Sequence, residues 1–92
     1  MKAYAYRARF EPGDWRGNVV VTFPDVPEVV TQGHGEAEAR AMAEEALGLV
    51  LLNYLRQETP LPMRRARCRG LVDIAVAPDV AAKLAVLQAR QF

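Results

Sequence analysis

The stretch T-F-P-D-V-P-E-V-V-T-Q-G, residues 22–33, contains the turn that determines how the segments before and after it are arranged. Pro24 and Pro27 lack a backbone N–H and have a fixed φ, and each favours extended backbone at the residue before it. Asp25 lies between them and can accept hydrogen bonds from nearby backbone N–H groups, as turn aspartates do. We call residues 23–27 the proline corner and predict that it is a stiff turn between two paired strands.

Hydrophobic periodicity on both sides of the proline corner predicts an α+β fold. The predicted strands cover residues 2–11, 18–23, 28–32 and 71–76, and the predicted helices cover residues 36–57 and 79–91. The order β-β-β-α-β-α favours a mostly antiparallel sheet covered by one long helix, with a C-terminal helix and with the fourth strand beside the first. Residues 33–35, Gly-His-Gly, are expected to break the sheet before the long helix. Gly48 costs roughly 1 kcal/mol relative to alanine inside a helix, so we expect it to have a packing role.

Length and composition fit one small globular domain. The chain has 92 residues, of which 51% are hydrophobic and 25% charged. With Cys68 as the single cysteine, neither an intrachain disulfide nor a four-ligand zinc site is expected. The first ten residues alternate instead of forming the apolar run of a signal peptide, so we expect a cytoplasmic protein.

Charge is unevenly distributed along the chain. Residues 1–58 have a balance of −3 and residues 59–92 one of +4, which together give the net charge of +1. We call residues 63–70 the basic linker, because four arginines lie within six of its residues. Its candidate contacts to phosphates or to an acidic partner, together with one lysine of the last helix, are Arg64, Arg65, Arg67, Arg69 and Lys83. A solvated connection is the alternative interpretation, and the lack of interleaved aromatic residues argues against base stacking.

Groups suited to catalysis are scarce. The chain has no serine, and its single histidine, His34, lies between two glycines, where a structural role is the simpler interpretation. Cys68 lies among the linker arginines and is more simply a linker residue than a nucleophile. The carboxylates form no metal-ligand or acid–base pattern, and no glycine-rich phosphate loop is present. We therefore expect no enzymatic activity, no metal and no cofactor.

Several motifs along the chain resemble those of the HicB family of bacterial antitoxins. They are Y-A-Y at residues 4–6, T-F-P-D-V-P at 22–27, T-Q-G at 31–33, A-E-E-A-L at 43–47, P-L-P at 60–62 and V-A-A-K-L-A at 80–85. The resemblance implies a partial RNase H-like fold without RNase H catalysis. It also implies binding to a small HicA-type toxin, an mRNA-cleaving protein whose active surface the antitoxin covers.

The chain departs from the family pattern in two places. Family members ending in V-A-A-K-L-A normally continue into a helix-turn-helix, whereas this sequence stops after one helix. We therefore expect residues 1–76 to form the HicB-like domain and residues 77–92 to form a C-terminal helix. This helix is either a remnant or the start of a DNA-binding module, so whether the protein binds DNA is left open. The second departure is Gly35, at a helix start where the family usually has Thr or Ser as N-cap.

The leading interpretation is a non-enzymatic, antitoxin-like protein that masks a basic HicA-type toxin, with which the acidic first half would be complementary. The candidate partner contacts are Phe23, Pro24, Asp25, Val26, Pro27, Glu28, Glu11 and Asp14. The alternatives are an orphan HicB-like structural or regulatory dimer without a toxin, and a nucleic-acid-binding regulator that uses the basic linker. We expect a homodimer, with Leu84, Leu87 and Phe92 at the oligomer interface.

Overall fold

A four-stranded antiparallel sheet and two helices make up the fold of this chain, for which a computed structural model describes residues 4–91. The elements are β1 (Ala5–Pro12), β2 (Asn18–Thr22), β3 (Val30–His34), α1 (Gly35–Arg56), β4 (Val72–Ala75) and α2 (Pro78–Gln91). The strand order is β3-β2-β1-β4, and every neighbouring pair is antiparallel. The predicted α+β class, the element order and the place of β4 beside β1 are confirmed; the RNase H-like assignment stays a prediction.

One face of the sheet forms one side of the hydrophobic core. Tyr6 and Ala8 of β1 are buried, whereas Arg7 between them is exposed, as expected when side chains alternate between the faces of a strand. The register continues this buried face into the next strands, because Tyr6 pairs with Ile74 and Phe10 with Val21. The stripe of α1 that packs into the same core consists of Ala39, Ala43, Leu47, Leu51, Leu52 and Leu55.

The third strand lies two residues further along the chain than predicted. Gly33 and His34 end β3 and pair with Val19 and Asn18, so the expectation that they break the sheet is wrong. A Cβ on Gly33 would lie 2.5 Å from the backbone nitrogen of Ala39. Glycine is therefore needed here because α1 passes directly over the strand, and not because the strand ends.

The helix α1 begins one residue earlier than predicted. Its N-cap is His34, with φ −89° and ψ 105°, and the backbone N–H of His34 donates to the Glu38 carboxylate at 2.8 Å. Gly35, expected to be the N-cap, is instead the first helical residue and has φ +83°. Its N–H donates to the Gly17 carbonyl at 2.7 Å, which ties the start of α1 to the loop between β1 and β2.

The second helix packs against the first where Gly48 leaves room for it. A Cβ on Gly48 would lie 3.1 Å from Cγ1 of Val80, which confirms that this glycine has a packing role. Leu84 of α2 is fully buried in the core, and the Tyr4 hydroxyl donates to Oε1 of Gln88 at 2.8 Å. Neither α1 nor α2 combines the length and the apolar character that a membrane-spanning helix needs.

Candidate functional site: the proline corner and the basic linker

The proline corner is a hydrogen-bonded turn anchored in the core. The N–H of Val26 donates to the Phe23 carbonyl at 3.0 Å, and the N–H of Val29 donates to the Val26 carbonyl at 2.9 Å. Phe23 and Val26 are buried, with exposed fractions of 1% and 0%. Pro24 and Pro27 are exposed, so of the corner's apolar residues only the two prolines are open to a partner.

The Asp25 carboxylate binds a segment remote in sequence. Its Oδ2 accepts hydrogen bonds from the backbone N–H groups of Arg65 and Ala66, both at 2.8 Å. The sequence predicted acceptance from nearby N–H groups, whereas the first of these donors is 40 residues further along the chain. Asp25 therefore joins the proline corner to the basic linker.

Two further contacts hold the same segment against β1. The Tyr6 hydroxyl donates to the Pro62 carbonyl at 2.7 Å, and Nη1 of Arg7 donates to the Ala66 carbonyl at 3.3 Å. Burial raises the pKa of Tyr6, an effect that the nearby Arg64 opposes and Asp25 reinforces, so this hydroxyl stays a donor at neutral pH. Residues 62–66 are thus fixed at three points, which is more than a solvated connection requires.

The C-terminal half of α1 is joined to the end of the proline corner. The Tyr54 hydroxyl donates a short hydrogen bond to Oε2 of Glu28. This bond to a carboxylate raises the pKa of Tyr54, because ionisation of the hydroxyl would remove the donor. Glu28 is exposed, but its carboxylate is already engaged within the chain.

A cleft of about 560 Å³ opens beside the basic linker, between it and residues of β1, β4, α1 and the proline corner. Within it, Nε of Arg7 lies 3.5 Å from Oδ1 of Asp73, its partner in the β1–β4 register. The cleft is lined by Ala5, Arg7, Asp25, Arg40, Glu44, Arg64, Ala66, Arg67, Asp73 and Ala75. The charges at this place therefore come from separate regions of the sequence.

The predicted acidic contacts are split between two regions of the molecule. Glu11 pairs with Val20, and Asp14 lies in the loop between β1 and β2, whereas the proline corner begins at the opposite end of β2. The neighbours of the proline corner are the linker arginines and not these acids. Trp15, 59% exposed beside Asp14, is a surface aromatic residue that the sequence analysis missed, although its place in a polar turn was a usable signal.

The basic residues are also divided. Arg64 and Arg67 line the cleft, and Arg65 and Arg69 are exposed along the same linker. Lys83, by contrast, lies on α2 beside a separate apolar groove between the two helices. Sequence reasoning missed Arg7 and Arg40 as members of the cleft, because local patterns give no distance between β1, α1 and the linker.

The remaining candidate residues lie in different parts of the fold. His34 is exposed, and its imidazole lies so close to Gly17 that a Cβ there would be 2.7 Å from Cε1 of the ring. Cys68 is exposed in the basic linker. Within residues 4–91, no three His, Cys, Asp or Glu side chains are grouped as a metal site would require. Leu84 belongs to the chain's own core, Leu87 is half-buried, and Phe92 lies outside the described residues.

Comparison with known proteins finds relatives of one kind. No protein-family model matches the chain. The protein "Antitoxin HicB 1" of Photorhabdus laumondii subsp. laumondii is 33% identical over 89 residues, which is 97% of this chain and 56% of that relative. "Antitoxin HicB 2" of the same organism is 34% identical over 90 residues, which is 94% of this chain and 59% of that relative. The chain thus spans somewhat more than half the length of these two relatives. The resemblance predicted from the motifs is therefore confirmed, and the chain is similar to these two HicB antitoxins along nearly its whole length.

Proposed function

We propose that this chain is the non-catalytic antitoxin of a toxin–antitoxin pair, and that it binds and masks a small HicA-type mRNA-cleaving toxin. The observation that supports this most is the similarity to two proteins named antitoxin HicB over 97% and 94% of the chain. The motif T-F-P-D-V-P, one of those behind the predicted resemblance, contains the proline corner, which is a hydrogen-bonded turn anchored in the core.

The proline corner and the loop between β1 and β2 serve different purposes in this proposal. Pro24 and Pro27 present a stiff, exposed shape, and a surface that is already ordered loses little entropy when a partner binds. Asp25 and Glu28 are engaged within the chain. The loop that carries Asp14 is therefore the region that we expect to be complementary in charge to a basic toxin. In the same loop, the exposed Trp15 supplies an aromatic anchor.

Coexpression with the product of the gene adjacent to this chain's gene, which we expect to be small and basic, tests the proposal. We expect the two proteins to copurify, and we expect growth arrest by the second protein to be relieved by the first. Absence of both a complex and growth rescue contradicts the antitoxin function.

A pair of matched double variants tests the assignment of the charged contacts. Glu11→Gln with Asp14→Asn removes two exposed carboxylates near the loop and is expected to weaken the complex roughly threefold to tenfold at low salt. Glu45→Gln with Asp79→Asn removes the same charge from the exposed faces of α1 and α2 and is expected to leave affinity within about twofold. Equal losses in both double variants contradict this placement of the toxin.

A further inference from the structure

We propose that the cleft beside the basic linker binds the phosphate groups of a nucleic-acid backbone, with Arg40, Arg64 and Arg67 as its contacts. This proposal goes beyond toxin binding and does not depend on it. It rests on three features of the cleft: arginines brought together from separate elements, the engagement of two of its three acids within the chain, and a linker held in place.

The arginines of the cleft come from two regions that the fold brings together. Arg64 and Arg67 belong to the basic linker, and Arg40 belongs to the second turn of α1. The guanidinium carbon of Arg40 lies 6.0 Å from the centroid of the Phe10 ring, a cation–π contact that ties this side chain to β1. Guanidinium groups match phosphate oxygens in a two-pronged geometry, so this convergence suits a phosphate better than one isolated arginine does.

Two of the three acids in the cleft already have partners within the chain. Asp25 accepts the N–H groups of Arg65 and Ala66, and Asp73 lies 3.5 Å from Arg7. Glu44 is the third acid of the lining. Since Arg7 is itself committed to Asp73 and to the Ala66 carbonyl, its part is to position the linker and not to contact the ligand.

The shape of the linker favours a chain of phosphates over a single anion. Residues 64–69 contain four arginines and no acid, and six residues extend over at most roughly 17 Å. That length spans several successive phosphates of a nucleic acid, each of which carries one charge. Because residues 62–66 are fixed by Tyr6, Arg7 and Asp25, part of the entropy cost of ordering the arginines in and next to this segment is met before a ligand arrives.

Fluorescence anisotropy of the full chain with two labelled probes tests the proposal. The probes are a short single-stranded RNA and a DNA duplex of mixed sequence, and inorganic phosphate serves as a competitor. Contact with three phosphates predicts a log–log salt slope of about −2 for the single strand and about −3 for the duplex. Tighter binding of one probe at the same salt concentration identifies which kind of backbone the cleft accepts.

A matched pair of double variants tests the location of the site. Arg64→Gln with Arg67→Gln is expected to weaken binding at least about tenfold and to make the single-strand salt slope shallower by about 1.4. Arg16→Gln with Arg90→Gln removes the same charge from exposed positions in the loop between β1 and β2 and on α2, both outside the cleft, and is expected to change affinity less than about twofold. Equal losses in the two double variants overturn the proposal.

The variant Asp25→Ala separates a shaped site from simple charge attraction. The substitution makes the chain more positive, so charge attraction alone predicts tighter binding of the nucleic acid. Loss of the hydrogen bonds that hold the linker predicts weaker binding, and this is the result that we expect. Glu45→Ala makes the same charge change on the exposed face of α1 and is expected to leave binding unchanged or slightly tighter. If Asp25→Ala fails to fold, Tyr6→Phe removes the anchor at Pro62 without changing the charge and is expected to weaken binding as well.

Three results overturn the inference. The first is the absence of salt-dependent binding to both probes. The second is an affinity for the oligonucleotides that is no higher than the affinity for inorganic phosphate. The third is tighter binding of an acidic peptide, such as a short polyglutamate, than of either nucleic acid, because the cleft would then be a site for carboxylates.

Discussion

At Gly33 the backbones of β3 and α1 are so close that no side chain fits. The Cβ of an alanine there would lie 2.5 Å from the Ala39 nitrogen and 2.7 Å from its Cα, and both are backbone atoms that cannot rotate away. We expect Gly33→Ala to lower the free energy of unfolding by roughly 2–3 kcal/mol, measured by urea denaturation. Gly70→Ala is the control, because Gly70 has φ +80° with no atoms within 4 Å of the added Cβ. Its expected cost is about 1 kcal/mol from backbone strain alone, and equal losses contradict a clash at Gly33.

At Tyr6 the folded state favours the protonated hydroxyl. Its pKa is raised above the ordinary value of 10.0, chiefly by burial, so stability is intact below pH 10 and falls as the pH rises through the folded-state pKa. We expect the unfolding free energy of the wild type to drop as the pH rises above about 10, and that of Tyr6→Phe to drop less. Tyr54 titrates in both proteins, and the charge of Tyr6 is only the last of the causes that raise its pKa, so the difference between them reports chiefly Tyr6. Parallel pH profiles contradict this account.

Among the connecting segments, the basic linker gains its fixed position from contacts distant in sequence. We expect Asp25→Ala to speed hydrogen exchange at the amides of Arg65 and Ala66 by at least about tenfold, because both amides lose their acceptor. Exchange in β2 is expected to stay unchanged. Asp79→Ala, at an exposed position in the first turn of α2, is the control and is expected to leave the linker amides as they are. Unchanged exchange in Asp25→Ala contradicts the anchoring role.

The elements themselves could be predicted wherever one local signal dominated. Alternation along β1 located its buried face, and the stripe of α1 located the helix that covers it. The prediction was wrong at Gly33 and His34, because a local rule treats glycine as a breaker. In the folded chain the same glycine lets a helix approach a strand, and that requirement comes from tertiary packing.

The candidate site could be predicted only in separate pieces. The proline corner and the arginines of the linker were both identified from their residue types, but nothing local indicates that Asp25 accepts the amides of Arg65 and Ala66. Arg40 illustrates the same limit, since its place in the cleft depends on how α1 crosses the sheet. Sequence patterns report which chemistry is available, and long-range packing decides which groups meet.

Across the whole molecule, the two proposed surfaces are separated by the length of β2. Asp14 and Trp15 lie in the loop before this strand, and the proline corner with its basic neighbours follows it. This arrangement permits a basic protein at the loop and a phosphate backbone in the cleft without direct competition for the same residues. The net charge of +1 is the sum of a balance of −3 in residues 1–58 and one of +4 in residues 59–92, so it describes neither surface.

A second copy of the chain is the partner expected to cover the outer side of the two helices. A groove of about 430 Å³ between α1 and α2 is mainly apolar, with Leu52 and Leu87 in its lining, and Val86 beside them is 53% exposed. In a domain of this size, pairing along such a groove adds apolar burial that a small core lacks. We expect light scattering to find a dimer at micromolar concentration, and we expect Val86→Glu to shift it towards the monomer. Val30→Lys places a charge on the exposed edge strand β3 instead and is expected to leave the dimer intact. A monomeric wild type contradicts the dimer, and dissociation by Val30→Lys with Val86→Glu still dimeric places the interface at the sheet edge.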